Sequence, residues 1–126
     1  MKTKLTLILL LLAVSIGTAS AEWKRIVESD TATFYMDIST IRKDGNTVRV
    51  WSILDFKEKG RYGDVSHKSR HEFDCKQERL RTLTLLPYTG HMAEGQAINI
   101  SKPPEEWFDI PPRSAWATYL EILCNK

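Results

Sequence analysis

The sequence predicts an α+β fold: an antiparallel sheet of about five to six strands packed by one C-terminal α-helix. Three observations carry this. From Trp23 to Leu86, short β-rich runs follow one another across polar turns, the pattern of hairpins. Beyond Ser114, a good N-cap, Trp116, Tyr119 or Leu120, Leu123 and Cys124 recur at helical spacing within Ala115 to Asn125. The two cysteines fall at the end of a strand run, Cys75, and on the helix stripe, Cys124, where one bond can join sheet to helix.

Residues 1–21 read as a signal peptide. Lys2 and Lys4 make a positive start, and Leu5 to Ile16 is an apolar run short for a membrane span. Ala19-Ser20-Ala21 is the small-x-small pattern that signal peptidase accommodates. The competing reading is an uncleaved anchor. Cleavage after Ala21 leaves residues 22–126, enough for a single domain with one core. Two of the 18 Lys and Arg lie in the leader, so the mature domain balances its 16 Asp and Glu. That balance removes the usual electrostatic footprint of nucleic-acid binding. No other segment is long and apolar enough to span a bilayer. Two cysteines in an exported chain of this size form one disulfide, Cys75–Cys124, and no C-x-x-C or second Cys/His cluster points to a metal. Closing a loop of about 49 residues stabilises by about 4 kcal/mol in the chain-entropy model.

The strands follow in order. Trp23 to Glu28 and Ala32 to Met36 flank a turn at Ser29-Asp30-Thr31, with Phe34 and Met36 opposite Tyr35. Asp37 to Ile41 reads as a single helical turn capped by Asp37. Asp44-Gly45 marks a tight turn. Thr47 to Phe56 is the clearest strand: Val48, Val50, Leu54 and Phe56 share one face, and Thr47, Arg49, Trp51, Ile53 and Asp55 the other. Large apolar groups on both faces place it centrally. Lys57 to Asp64 is a charged loop. Val65 to Cys75 alternates Val65, His67, Ser69, His71 and Phe73 with a solvent face of Ser66, Lys68, Arg70, Glu72 and Asp74. After Lys76-Gln77, Glu78 to Leu86 is a strand with Arg79, Arg81, Leu83 and Leu85 on one face. Pro87 ends it or marks an edge. Tyr88 to Gly95 is irregular, Gln96 to Ile100 reads as a last strand, and Glu105 to Pro112 as a fixed loop.

Catalytic signals are absent. His67 and His71 are four apart, but on a strand their rings stand about 13 Å apart, too far to share a metal. They read as solvated or partly buried, and His91 carries no motif. H-E-F-D-C is not H-E-x-x-H, and no G-x-S-x-G elbow or Gly-rich phosphate loop occurs. The expectation is a non-enzymatic domain without cofactor or metal. Basic residues concentrate mid-chain, at Lys57, Lys59, Arg61, Lys68, Arg70, Arg79 and Arg81. The simplest reading is an ordinary solvated face, since Glu58, Glu72, Asp74 and Glu78 are interleaved. The alternative is a basic contact face for acidic proteins, glycans or lipid headgroups. Loops carry binding more often than scaffolds, which favours Lys57 to Asp64 and Tyr88 to Gly95. The candidate contact residues are therefore Lys57, Lys59, Arg61 and Tyr62 in the loop, with Lys68, Arg70 and Glu72 on the adjacent strand. Asn99-Ile100-Ser101 is a glycosylation sequon, meaningful only in a eukaryotic secretory pathway.

An ordered set of residues resembles the surface-adhesin protein E family of Gram-negative bacteria. It comprises Tyr35, Asp37 and Ile41; Val50-Trp51 and Asp55; Ser66 and Lys68; Phe73-Asp74-Cys75 and Arg81. Tyr88, Gly95, Trp107, Pro112, Ser114, Trp116 and Cys124 complete it. The resemblance implies a small antiparallel sheet, a C-terminal helix and a disulfide between them. It also implies adhesion, the binding of host extracellular-matrix or serum proteins at the cell surface. The family's named adhesin is a lipoprotein, whereas the residue directly after Ala21 is Glu22 and not cysteine, so a periplasmic or secreted location is expected. The alternatives are a periplasmic accessory protein of an envelope complex and a small hydrolase.

Overall fold

The computed structural model describes residues 22–99, 102–103 and 105–125; the signal-peptide expectation lies outside them. Six strands run antiparallel in sequence order: β1 (Trp23–Glu28), β2 (Ala32–Asp44), β3 (Thr47–Phe56), β4 (Ser66–Asp74), β5 (Arg79–Tyr88) and β6 (Phe108–Asp109). Helix α1 (Ala115–Cys124) packs across one face. Each strand joins its sequence neighbour, so the turns fix the order. At the β2–β3 turn Gly45 takes φ 58°, a left-handed conformation open to glycine without steric cost. At the β4–β5 turn Asp74 Oδ1 accepts from the Lys76 and Gln77 amides, both at 3.0 Å.

The strand alternation expected for β3 holds, and it builds the core. Phe34, Met36, Val48, Val50, Phe73 and Leu80 are buried beneath Tyr119, Leu120 and Leu123. Tyr119 stacks on Phe73 with centroids 5.9 Å apart, and its hydroxyl donates to the Tyr35 carbonyl at 2.9 Å. Burial pushes the Tyr119 hydroxyl up to about 12, against the opposing influence of the Ser52 hydroxyl. Trp116 meets Phe34 edge-on at 5.2 Å. Ser114 caps α1 by accepting from the Ala117 amide at 3.2 Å, as its position predicts. Asn125 ends the helix in the left-handed conformation. Cys75 and Cys124 form the expected disulfide, with Cα atoms 5.6 Å apart.

Five local expectations are corrected. Asp37 to Ile41 is a bulge in β2 instead of a helical turn. Pairing passes from Asp37↔Trp51 to Arg42↔Arg49, leaving Ile38–Ile41 opposite Val50 alone. Asp37 still accepts from the Ser39 amide at 3.0 Å, and the Thr40 hydroxyl bridges the Asp37 carbonyl and the Trp51 amide. The capping chemistry was there; strand pairing on either side overrode the helix. In β5 the register slips between Arg70↔Thr84 and His71↔Thr82, so Leu83 is extra and the alternation reverses beyond it. Arg79 and Arg81 therefore share a face with Thr84 and Leu86. Pro87 lies one residue from the end of β5, and its carbonyl accepts from the Ile98 amide at 2.8 Å on the edge away from β4, in keeping with the end or edge position expected of it. Instead of a strand at Gln96 to Ile100 there is one bridge, Tyr88↔Ala97, while Ile100 and Ser101 lie outside the described residues. The expected loop at Glu105 to Pro112 contains β6, paired to Arg79 and Leu80. Finally, the supposed solvent face of β4 buries Ser66, Glu72 and Asp74.

Candidate functional site

Helix α1 covers one face of the sheet, and among the described residues no helix packs across the other, here called the open face, although Asp37, Ile53, Ser66 and Glu72 are buried within it. The open face carries Trp23 and Arg25 from β1, Tyr35 and Asp37 from β2, and Arg49, Trp51, Ile53 and Asp55 from β3. From β4 come Ser66, Lys68, Arg70, Glu72 and Asp74, and from β5 Arg79 and Arg81. Side chains of one face alternate along each strand, so register alone brings these groups together.

The open face has two halves. In one, Lys68 Nζ lies 5.7 Å from the Trp51 ring centroid and 5.9 Å from that of Trp23, a cation held between two indoles. Arg70, next on this face of β4 and paired across to Trp51, makes no ion pair among the described residues. In the other half, Glu72 is only 3 % exposed and accepts from Arg49 Nε at 2.6 Å and from Arg81 at 2.7 Å. Burial opposes its ionisation, but the two guanidiniums outweigh this and hold Glu72 below the usual carboxylate range. Trp107, arriving just before β6, covers the Arg79 and Arg81 guanidiniums at 4.6 and 4.7 Å. Arg79 also reaches Asp74 at 3.2 Å.

One end of the open face is closed by the 89–95 segment. Asp55 accepts from the Met92 amide at 3.1 Å and meets His91 Nδ1 at 2.8 Å. The Ser66 hydroxyl donates to the Gly90 carbonyl at 2.6 Å and accepts from the Ala93 amide at 2.9 Å. Near the same end the 57–64 loop is held by Asp64, which is buried and meets His67 Nε2 at 2.6 Å. Burial disfavours the Asp64 carboxylate, yet the His67 hydrogen bond and backbone donors leave it below its ordinary range.

The candidate contact residues thus fall in three places. Lys59, Arg61 and Tyr62 project from the loop, Tyr62 being 67 % exposed, while Lys57 pairs with Glu28 at 2.9 Å. Lys68 and Arg70 stand on the open face. Glu72 lies beneath the arginines, where it orders its neighbours. The sequence reading missed Trp23, Trp51 and Trp107 as site groups. The parity of β3 carried a signal for Trp51, which alternates with Arg49; the approach of Trp107 from more than twenty residues beyond Arg81 carried none.

His67 and His71 are on one strand face, as predicted, with different fates. His67 meets Phe56 edge-on at 4.7 Å; His71 is buried against Trp116 at 4.7 Å, more deeply than expected. Among the described residues no three His, Cys, Asp or Glu side chains converge as a metal site. No described helix is long and apolar enough to cross a membrane.

A model of the surface-adhesin protein E family matches residues 23–125. The chain belongs to the surface-adhesin protein E family. Solved structures share the fold. Haemophilus influenzae protein E in crystal form II matches with a TM-score of 0.69 at 14 % identity, over 84 % of this chain and 89 % of that one. A second structure of that protein gives 0.66 at 16 % identity, over 84 % and 86 %. Protein E from non-typeable Haemophilus influenzae gives 0.62 at 16 %, over 86 % and 79 %. No curated protein matches the chain. Family membership makes this an adhesin-like protein; the structural likeness bears on fold alone.

Proposed function

We propose that this protein is an exported, non-enzymatic binding domain that engages host extracellular-matrix or serum proteins through its open sheet face. One observation carries the reading. The helix and disulfide complete the core from one side, and on the opposite side no described helix or strand packs over Trp23, Trp51, Lys68 and Arg70. Half-buried tryptophans and an arginine are the residue types that dominate protein interfaces. The 57–62 loop, with Lys57, Lys59, Arg61 and Tyr62, forms a rim near the same end. Surface plasmon resonance against immobilised matrix and serum proteins tests the proposal. Binding that falls at least tenfold in K68Q/R70Q supports it. No binding, together with a purely periplasmic location on fractionation, overturns it in favour of an envelope accessory role.

A further inference from the structure

We propose that the open face takes a linear anionic polysaccharide, its sugar rings lying on Trp23 and Trp51 and its sulfates or carboxylates held by Lys68 and Arg70. This rests on the open face being the surface that engages matrix or serum proteins and names what it recognises on them, an anionic saccharide chain.

Charge is the first argument. The carboxylates of this half-face and its border are committed: Glu72 to Arg49 and Arg81, Asp74 to Arg79 and turn amides, Asp37 to the Ser39 amide and hydroxyl. Lys68 is held only by two π faces, and Arg70 has no ion pair among the described residues. An approaching anion therefore meets two cations that no carboxylate pairs, while Asp37, between Trp23 and Trp51 in the register, is buried with its carboxylate bonded to Ser39. Residues 22–126 carry no net charge, so this is local segregation and not general basicity. The two cations are alternate residues of one strand, about 7 Å apart, and form a row suited to a chain with repeated anionic groups.

The indoles are the second argument. A flat aromatic ring beside a cation offers a pyranose both an apolar surface for its C–H face and a partner for its charged substituent. The Arg70 guanidinium presents the planar fork that matches carboxylate or sulfate oxygens. An acidic peptide would gain less. Peptides add to sheets through edge backbone groups, whereas the backbone of β2, β3 and β4 is paired on both sides. The open face offers side chains only, and a saccharide needs nothing more.

The test is titration of the protein with a size-defined heparin oligosaccharide, followed by calorimetry and by the tryptophan indole N–H signals. The expected result is saturable binding that weakens with salt, moves the Trp23 and Trp51 signals, and falls at least tenfold in K68Q/R70Q. K43Q, exposed near the end of β2 and away from this face, should change it less than twofold. Since K68Q/R70Q is checked for a wild-type unfolding midpoint, and the indole shifts are read on the unaltered protein, misfolding cannot mimic the result. No binding, binding insensitive to K68Q/R70Q, or equal competition by polyglutamate or oligothymidylate overturns the inference. If heparin fails while K68Q/R70Q still abolishes binding to a matrix protein, the saccharide inference falls and the assignment of the open face stands.

Discussion

His71 shows how one side chain sets a pH limit. Burial lowers its pKa from 6.5 to about 4, and its Nδ1 finds no hydrogen-bond partner among the described residues. The unfolded chain takes up the proton near pH 6.5, the folded protein only near 4. The stability contributed by neutral His71 is therefore complete above about pH 6.5 and is lost as pH falls toward 4, by about 3 kcal/mol at 1.36 kcal/mol per unit. Urea midpoints measured from pH 4 to 7 should rise steeply in the native protein and more shallowly in His71→Leu. Equal slopes would contradict the assignment. Glu72 adds a dependence of the same sign at lower pH, because its folded pKa is also depressed. Replacing Glu72 by Gln leaves two arginines without their carboxylate. Breaking a fully buried pair costs about 3–5 kcal/mol; here both guanidiniums are partly solvated, so a loss of about 2 kcal/mol is expected in urea unfolding. The burial of His71 was not legible in the sequence, since it depends on Trp116 arriving from the far end of the chain.

Among the elements, α1 and its two attachments are the most directly testable. Removing the N-cap in Ser114→Ala should cost about 1 kcal/mol. Replacing both cysteines by Ser should cost about 4 kcal/mol, because an unfolded chain no longer closed over 49 residues gains conformational entropy. Thermal unfolding of the two variants should preserve that order. The helix, its cap and β3 were legible because regular periodicity expresses itself locally. The irregularities were not. Asp37 begins a turn in sequence and in structure, but only the pairing with β3 on either side shows that the turn is a bulge. Leu83 carries no mark that it is extra, and the slip it causes reverses every side chain beyond it. Arg79 and Arg81 precede the slip, which is why their shared face was read correctly.

For the whole molecule, the antiparallel sheet, C-terminal helix and disulfide followed from patterning and cysteine placement, and family membership agrees with them. The site was legible only in part. Lys68 and Arg70 were read as outward strand residues from alternation alone, whereas their setting depends on Trp23 and Trp51, contributed by other strands. Those contacts follow from register, which turn lengths and bulges decide. The proposed function places partners on the open face and not on the helix side. The four tryptophans divide accordingly: Trp23, Trp51 and Trp107 on the open face and Trp116 on the helix, packed toward the core. One measurement reads both sides at once, the indole N–H spectrum of the ¹⁵N-labelled protein as a bound matrix or serum protein is titrated in. The Trp23 and Trp51 signals should shift or broaden selectively while Trp116 stays in place. Selective perturbation of Trp116, with Trp23 and Trp51 unmoved at saturation, would contradict the proposal.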